Sequence, residues 1–324
     1  MNTKIINLIK SVSFVLVLAI SLTILNFTLK PKNRMDYTDS RSYEAFRIFD
    51  EPSDTVDALI LGHSGVYSAI SPMEMYKEYG FTSYNLARAR QTIWEAEKFL
   101  NEVLEKQNPQ VLVLETDQIY YDKKRTYGET LDNLHENVPL LKNHATWKDW
   151  FYGKNYRERS EVKGYKIRFG KKPYKGVEYY NKMKPTDKKE NYSAKHKKAL
   201  DKIVATCQKK NIKVFFLELP STILWDYKKH NAVKEYAINH GIEFVDMNLM
   251  FDELNFNWND YTIDYGNHLN YEGAKIVSDY LGRKLVNEYG LVSRKGDKKY
   301  AFWEKDLLNY ENSVRVERNV QKVY

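Results

Sequence analysis

The sequence predicts a doubly wound α/β domain, in which helices cover both faces of a five-stranded parallel sheet. Short apolar runs alternate along the chain with longer segments whose apolar residues recur at helical spacing. Gly62 ends the first of these runs, and Pro220 follows the fourth. Of the 324 residues, 43% are hydrophobic and 14% aromatic, which is enough for a packed core and excludes a disordered chain.

The predicted strands are continuous apolar runs, a pattern typical of parallel strands that are buried on both faces. They lie at residues 57–61, 81–86, 111–114, 214–217 and 242–245. Helices are predicted at residues 71–80, 93–104, 198–209, 233–240 and 274–288. In the first helix Ser71 is the expected N-cap, Glu74 completes a capping box, and Gly80 ends the helix.

Residues 11–29 contain no charged side chain and are long enough to cross a bilayer as a helix. A cleaved signal peptide is the alternative, but no small-x-small cleavage site follows the apolar run. We therefore expect an uncleaved anchor at residues 1–30 and a polar linker at residues 31–53. Basic residues flank the span on both sides, so the positive-inside rule gives no orientation.

The α/β domain is expected at residues 54–290, and residues 118–193 interrupt it as a large insertion. Residues 154–198 carry a net charge of +11, larger than the +8 of the whole chain. This basic, tyrosine-rich segment indicates an anionic partner, either lipid headgroups or an envelope polymer, and nucleic acid is the less favoured reading. A merely solvated lysine-rich surface is the open alternative. Residues 291–324 are expected to form a helical extension that docks on the domain.

Ser64 is the first candidate for chemistry, because it lies between glycines in a turn that follows the first strand. In a doubly wound sheet the ligand site lies beyond the carboxyl ends of the strands. A serine that merely forms the turn or caps a helix is the alternative for this segment alone.

The second candidate is the loop that precedes the last helix of the domain. A nucleophilic serine needs a base such as His268, and this base needs a carboxylate such as Asp264 to hold its tautomer. Asn270 can cap the following helix, which would fix the loop beside the strand ends. An ordinary polar loop is the alternative.

Together these segments resemble the SGNH (GDSL-like) hydrolase superfamily over most of residues 57–117 and 198–286. The similarity is closest to its membrane-anchored, cell-envelope branch, which includes the teichoic acid D-alanine transfer protein and polysaccharide O-acetyltransferase partners. The resemblance implies that Ser64 is the nucleophile, His268 the base and Asp264 the orienting carboxylate. The segments 84–86 and 91–95 are also similar to that branch.

The chain departs from the family pattern at four places. His63 replaces the aspartate before the nucleophile, and the triad aspartate lies four rather than three residues before the histidine, which leaves Asp260 as a second candidate orienter. The glycine of the second block and the Gly-x-Asn-Asp third block are not found. The expected oxyanion donors are therefore the backbone amides of Ser64 and Ala87 and the side chain of Gln91.

His63 is expected to point away from the nucleophile. The remaining histidines show no metal-ligand spacing, and no nucleotide-binding glycine pattern occurs, so we expect neither metal nor cofactor. Cys207 is the single cysteine, which excludes an intrachain disulfide and a cysteine zinc site. Trp147, Trp150 and Trp225 are expected in the aromatic core, with a substrate cleft as the alternative.

The resemblance implies a membrane-anchored, extracytoplasmic serine acyltransferase or esterase that modifies a cell-envelope polysaccharide or teichoic acid. The insertion is its candidate lid, and a membrane-bound O-acyltransferase is the candidate partner that supplies its acyl donor. The alternative from another class is a non-catalytic subunit that binds an anionic envelope polymer or a membrane acyltransferase partner.

Overall fold

The fold is known from a computed structural model that describes residues 3–28, 43–122 and 160–320. The chain divides into two compact units, of which the larger comprises Arg41–Asp122 and Arg159–Tyr324. In the smaller unit the structure describes one helix, α1 (Thr3–Thr28). Its segment Thr3–Leu25 has a mean hydropathy of 2.4 and is long and apolar enough to span a membrane. Signal sequences near an N-terminus have the same length and apolar composition.

The larger unit contains the predicted five-stranded sheet, and every strand pairing in it is parallel. The strand order is β2-β1-β3-β4-β5, so the direction of winding reverses between β1 and β3. The strands are β1 (Ala58–Gly62), β2 (Ser83–Ala87), β3 (Val111–Glu115), β4 (Lys213–Glu218) and β5 (Glu243–Asp246). The doubly wound α/β prediction is confirmed.

Alternate residues of each central strand enter different cores, as the two-residue period of a strand requires. Leu59 and Leu61 belong to one apolar cluster, and Ala58 and Ile60 belong to the other. The helices of the larger unit are α2 (Tyr43–Phe46), α3 (Ser64–Ala69), α4 (Pro72–Tyr79), α5 (Ile93–Val103), α6 (Glu178–Lys182), α7 (Ala194–Lys209), α8 (Tyr227–His240), α9 (Tyr271–Asn287) and α10 (Ala301–Val320).

Three sequence-based expectations about local structure need correction. Helix α3 was not predicted, because its six residues are too few for an apolar period to show. The capping box of α4 is incomplete: Ser71 accepts from the Glu74 amide, but the Glu74 carboxylate accepts from tyrosine hydroxyls of later helices instead. The linker does not extend to residue 53, because α2 and a 3-10 helix (Arg47–Asp50) pack on the core.

A third apolar cluster holds α10 against the domain. It contains Tyr76 from α4, Tyr271 from α9, and Trp303 and Tyr310 from α10. At its edge the buried ammonium of Lys163 lies 2.7 Å from both the Glu51 and the Asp306 carboxylates. The C-terminal extension is therefore a helix docked on the domain.

The structure describes residues 118–122 and 160–193 of the insertion, and the second of these segments borders the sheet. The Lys163 carbonyl accepts from the Asn85 amide of β2, which is an edge strand. Gly164 has φ +82, and a Cβ there would lie 2.4 Å from the Asn85 carbonyl oxygen, so this contact requires glycine. Trp147 and Trp150 lie outside the described residues, whereas Trp225 is buried in the core, as predicted.

Candidate active site

The first functional side chain lies at the carboxyl end of β1, beside the reversal of strand order. Ser64 begins α3 directly after His63, the N-cap of this short helix. Gly62 has no room for a Cβ, which would come within 2.2 Å of Val66 and 2.9 Å of Glu115. This close packing presents Ser64 at the edge of the sheet where ligands bind in doubly wound folds.

A second loop, before α9, brings His268 to the same edge. Thr262 and Leu269 form a β-bridge that closes the loop, and the Thr262 hydroxyl accepts from the Gly266 amide at 2.7 Å. Asn270 caps α9 by accepting from the Gly273 amide, as predicted. The loop is therefore fixed at both ends.

The two loops join Ser64, His268 and Asp264 in one hydrogen-bond chain. The Ser64 Oγ lies 2.9 Å from the His268 Nε2, and the His268 Nδ1 lies 2.5 Å from an Asp264 oxygen. Because a carboxylate only accepts, Nδ1 carries the proton and Nε2 accepts from the serine hydroxyl. The other Asp264 oxygen accepts from the His268 amide at 2.7 Å, which fixes the carboxylate. This is the arrangement that activates a serine nucleophile.

Asp264 is suited to remain ionised beside the imidazole. Partial burial alone would raise the pKa of Asp264, but the hydrogen bond from His268 and the charges of His268 and Arg168 hold this pKa below its usual value. The alternative orienter Asp260 instead pairs with Lys171 at the surface. The structure therefore places Asp264, and not Asp260, against His268.

A buried charged cluster that the sequence does not predict lies next to Ser64. The His63 Nε2 lies 2.9 Å from an Asp117 oxygen and 3.6 Å from a Glu115 oxygen, and Lys229 lies 3.4 Å from Asp117. Glu218 approaches the same carboxylates, and burial together with their charges raises its pKa. The sequence signals this cluster only by acidic residues at the ends of two apolar runs: Glu115 ends β3, Asp117 follows it, and Glu218 ends β4.

Among the described residues, His63, Glu115 and Asp117 form the group whose ligand atoms lie close enough to hold a metal ion, within 4.8 Å of one another. The tautomer of His63 argues against this use. Its Nδ1 accepts from the Gly65 amide at 3.1 Å, so the Nε2 that faces the carboxylates carries the proton and has no free lone pair. These three side chains therefore form an internal network of hydrogen-bonded and charged groups.

Of the three predicted oxyanion donors, Ala87 and Gln91 lie outside the Ser64 turn and have different positions. Ala87 ends β2 in register with Gly62, so its backbone lies at the same edge of the sheet as the Ser64 turn. The Gln91 side chain is buried, and its oxygen accepts from Arg88 at 2.9 Å. Among the described residues, no hydrogen bond joins the Gln91 side chain to the triad. The oxyanion role of both residues stays a prediction.

A narrow polar cavity of about 10 Å³ adjoins the nucleophile, with room for about one water molecule. Its lining includes Ser64, Glu115, Glu218, Ser221 and Asn267. The His268 and Asp264 side chains retain 15% and 36% of their exposure, so the triad is reachable from the surface. A substrate would therefore approach Ser64 from the exposed rim.

The fold and this site define a doubly wound α/β protein with a serine–histidine–aspartate hydrogen-bond chain. No protein-family profile and no curated protein matches the chain. Solved structures that are similar to it include a protein of Bacteroides fragilis assigned as an acylhydrolase, a protein of Desulfitobacterium hafniense assigned to the G-D-S-L lipolytic family, and an acetyl xylan esterase.

The sequence identities to these three structures are 14%, 12% and 15%, and the TM-scores are 0.41, 0.40 and 0.39. The matches cover 80%, 70% and 70% of this chain and 100%, 97% and 98% of the others. At these values the similarities carry no argument about activity.

Proposed function

We propose that the protein is a serine esterase or acyltransferase of the SGNH type. The observation that carries the proposal is the hydrogen-bond chain from the Ser64 hydroxyl through His268 to Asp264, which joins side chains 204 positions apart. An unrelated polar contact would not need a carboxylate on the far side of the imidazole. A general base that takes the proton of a serine hydroxyl does need this carboxylate, because the carboxylate holds the imidazole in one tautomer.

In the proposed reaction the Ser64 Oγ forms a bond to the acyl carbonyl carbon while its proton passes to the His268 Nε2. Collapse of the tetrahedral intermediate breaks the ester bond, and the leaving alcohol takes that proton. Water or an acceptor hydroxyl then attacks the acyl carbon of the acyl-enzyme and gives its proton to the His268 Nε2. Collapse of this second tetrahedral intermediate breaks the ester bond to Ser64, and the Ser64 Oγ takes the proton back from His268. Asp264 stabilises the imidazolium at both stages.

Hydrolysis of 4-nitrophenyl acetate by the full-length chain in detergent tests this proposal. S64A and H268A should each lower kcat/KM by roughly 1,000-fold or more, because each removes a group that acts in the transition state. S68A is the matched control, since Ser68 lies one turn along the same helix and its hydroxyl donates to the Ser64 carbonyl. Equal activity of S64A and wild type would exclude the mechanism, and inactivity of the wild type would favour the binding-subunit alternative.

We further propose that the acyl acceptor is an anionic envelope polysaccharide or teichoic acid, and that a membrane-bound O-acyltransferase partner supplies the acyl donor. Arg168 supports an anionic substrate, because its guanidinium lies 5.5 Å from the Tyr67 ring and its charge acts on Asp264. No ion pair of this half-buried group is found within the described ranges. R168Q should therefore reduce kcat/KM for a carboxylate-bearing acetate ester more than for a neutral one, and an equal effect on both would argue against this substrate class.

For location, we propose a single-pass membrane protein whose larger unit lies outside the cytoplasm. The length and hydropathy of Thr3–Leu25 support the span, and the proposed envelope substrate supports the orientation. In spheroplasts, protease added from outside should degrade the larger unit while the protein resists extraction by alkaline carbonate. Protection of the larger unit from protease would show that it lies in the cytoplasm, and release of the protein by carbonate would exclude the membrane anchor.

A further inference from the structure

The imidazole of His63 contacts both sides of the nucleophile turn. It belongs to the residue before Ser64, and its Nδ1 accepts from the amide of the residue after it, Gly65, at 3.1 Å. Its Nε2 donates to Asp117, just beyond the end of β3, at 2.9 Å. One ring therefore connects the turn after β1 to the turn after β3.

We infer that His63 is a positioning residue, whose imidazole holds the Ser64 turn against the end of β3 so that the hydroxyl stays within reach of His268. This inference rests on the proposed function of Ser64. It goes beyond the expectation that His63 would point away without a role, because the ring contacts the turn that carries the nucleophile.

The surroundings of the His63 ring strengthen the hydrogen bonds at both of its nitrogens. His63 is 4% exposed, and Asp117 is 3% exposed, so water does not compete for either bond. Lys229 contacts the second Asp117 oxygen at 3.4 Å and fixes the carboxylate that receives the Nε2 proton. The Tyr121 ring lies 6.1 Å from the imidazole in an edge-on orientation.

The charges that face His63 come from several elements. Burial disfavours the imidazolium, but the carboxylates of Glu115 and Asp117 outweigh burial and Lys229 and raise the pKa of His63. The Gly65 amide opposes a proton on Nδ1, because two donors would then face each other. The carboxylates therefore favour the imidazolium, whereas the Gly65 contact favours the neutral ring. The hydrogen bonds are those of the neutral ring, in which Nδ1 accepts from Gly65 and Nε2 donates to Asp117.

Three substitutions separate the two contacts of His63. H63N keeps an oxygen where Nδ1 lies and can still accept from Gly65, but its side chain is too short to reach Asp117. H63Q can reach Asp117 but leaves the Gly65 amide without its acceptor. H63A removes both contacts.

The expected results follow from the need to hold a reacting atom in place. In 4-nitrophenyl acetate hydrolysis, per folded molecule, H63N and H63Q should each lower kcat by about tenfold and H63A by about 100-fold. KM should change by less than about twofold, because the turn positions the nucleophile rather than the substrate. A purely structural role would change the folded fraction and leave kcat per folded molecule unaltered.

H230A is the matched control, because His230 is also buried and its Nδ1 also pairs with an aspartate, Asp246, at 2.9 Å. It should lose stability comparable to H63A while its kcat per folded molecule stays near wild type. If H63N keeps the wild-type kcat, the Asp117 contact is not needed and His63 acts only as a helix cap. If H63A keeps the wild-type kcat, His63 has no positioning role. If the wild type itself is inactive, the proposed function fails, and this inference fails with it.

Discussion

Asp264 lies four residues before His268, one residue farther than the family resemblance implies. The extra residue fits because Tyr265 and Gly266 both adopt left-handed backbone conformations, with φ of +63 and +90. A Cβ at Gly266 would lie within 2.3 Å of the Thr222 side chain, so this tight turn requires glycine. The turn folds the carboxylate back onto the imidazole, and the longer spacing still gives a direct contact.

The choice between the two candidate orienters is testable with isosteric substitutions. D264N should lower kcat by roughly 10²–10⁴-fold, because an amide cannot stabilise the imidazolium and permits the wrong tautomer. D260N should stay within about twofold of wild type, since Asp260 pairs with exposed Lys171. Steady-state kinetics on 4-nitrophenyl acetate measures both. A larger loss in D260N than in D264N would reverse the assignment.

At the scale of the elements, the strands and longer helices could be predicted from the sequence because their apolar periods are long enough to read. The N-cap of α4 at Ser71 and its end at Gly80 were predicted from residue types alone. Helix α3 is not predicted for two reasons: its six residues are too few for an apolar period to show, and its cap is the side chain of His63, a residue type that does not signal an N-cap.

The charged cluster could not be predicted for a different reason. Glu115, Asp117 and Glu218 lie on neighbouring strand ends only in the folded sheet, and their contact with His63 depends on the strand order β1-β3-β4. The triad was easier to predict, since a resemblance already indicates which distant side chains should meet. The partner of Glu74 was missed because it belongs to helices far along the chain.

Helix α10 is joined to the domain by a buried and by an exposed ion pair. K163M should destabilise the protein by about 3–5 kcal/mol, because it leaves the Glu51 and Asp306 carboxylates buried beside an apolar side chain. K77M is the control, since the Lys77–Glu311 pair also joins α10 to the domain but is exposed, and its loss should cost under about 1 kcal/mol. Chemical denaturation of both variants compares them. Equal costs would show that the buried pair does not hold α10 in place.

For the whole molecule, the buried acids beneath the nucleophile couple stability to pH. Burial, and then the charges of Glu115, Asp117 and Asp246, raise the pKa of Glu218 well above 4.5. The folded state therefore holds a proton that the unfolded state releases, so this group's stabilising effect is present below about pH 4.5 and is lost as pH rises through the folded pKa.

E218Q mimics the protonated acid and can still accept from the Thr116 hydroxyl, which lies 2.6 Å from Glu218. We expect E218Q to be more stable than wild type at pH 8 by about 1 kcal/mol or more, and the difference should shrink towards pH 5. Thermal unfolding across this range measures the effect, with the exposed E235Q as control. A difference that is constant with pH would mean that Glu218 does not titrate in this way.

The central claim is that the chain uses Ser64 as a nucleophile. Mass spectrometry of the full-length protein after reaction with a fluorophosphonate identifies the modified residue directly. The account predicts a single adduct on Ser64, formed by the wild type and lost in H268A. An adduct on another serine, such as Ser221 in the lining of the same cavity, or no adduct on the folded wild type, would contradict it.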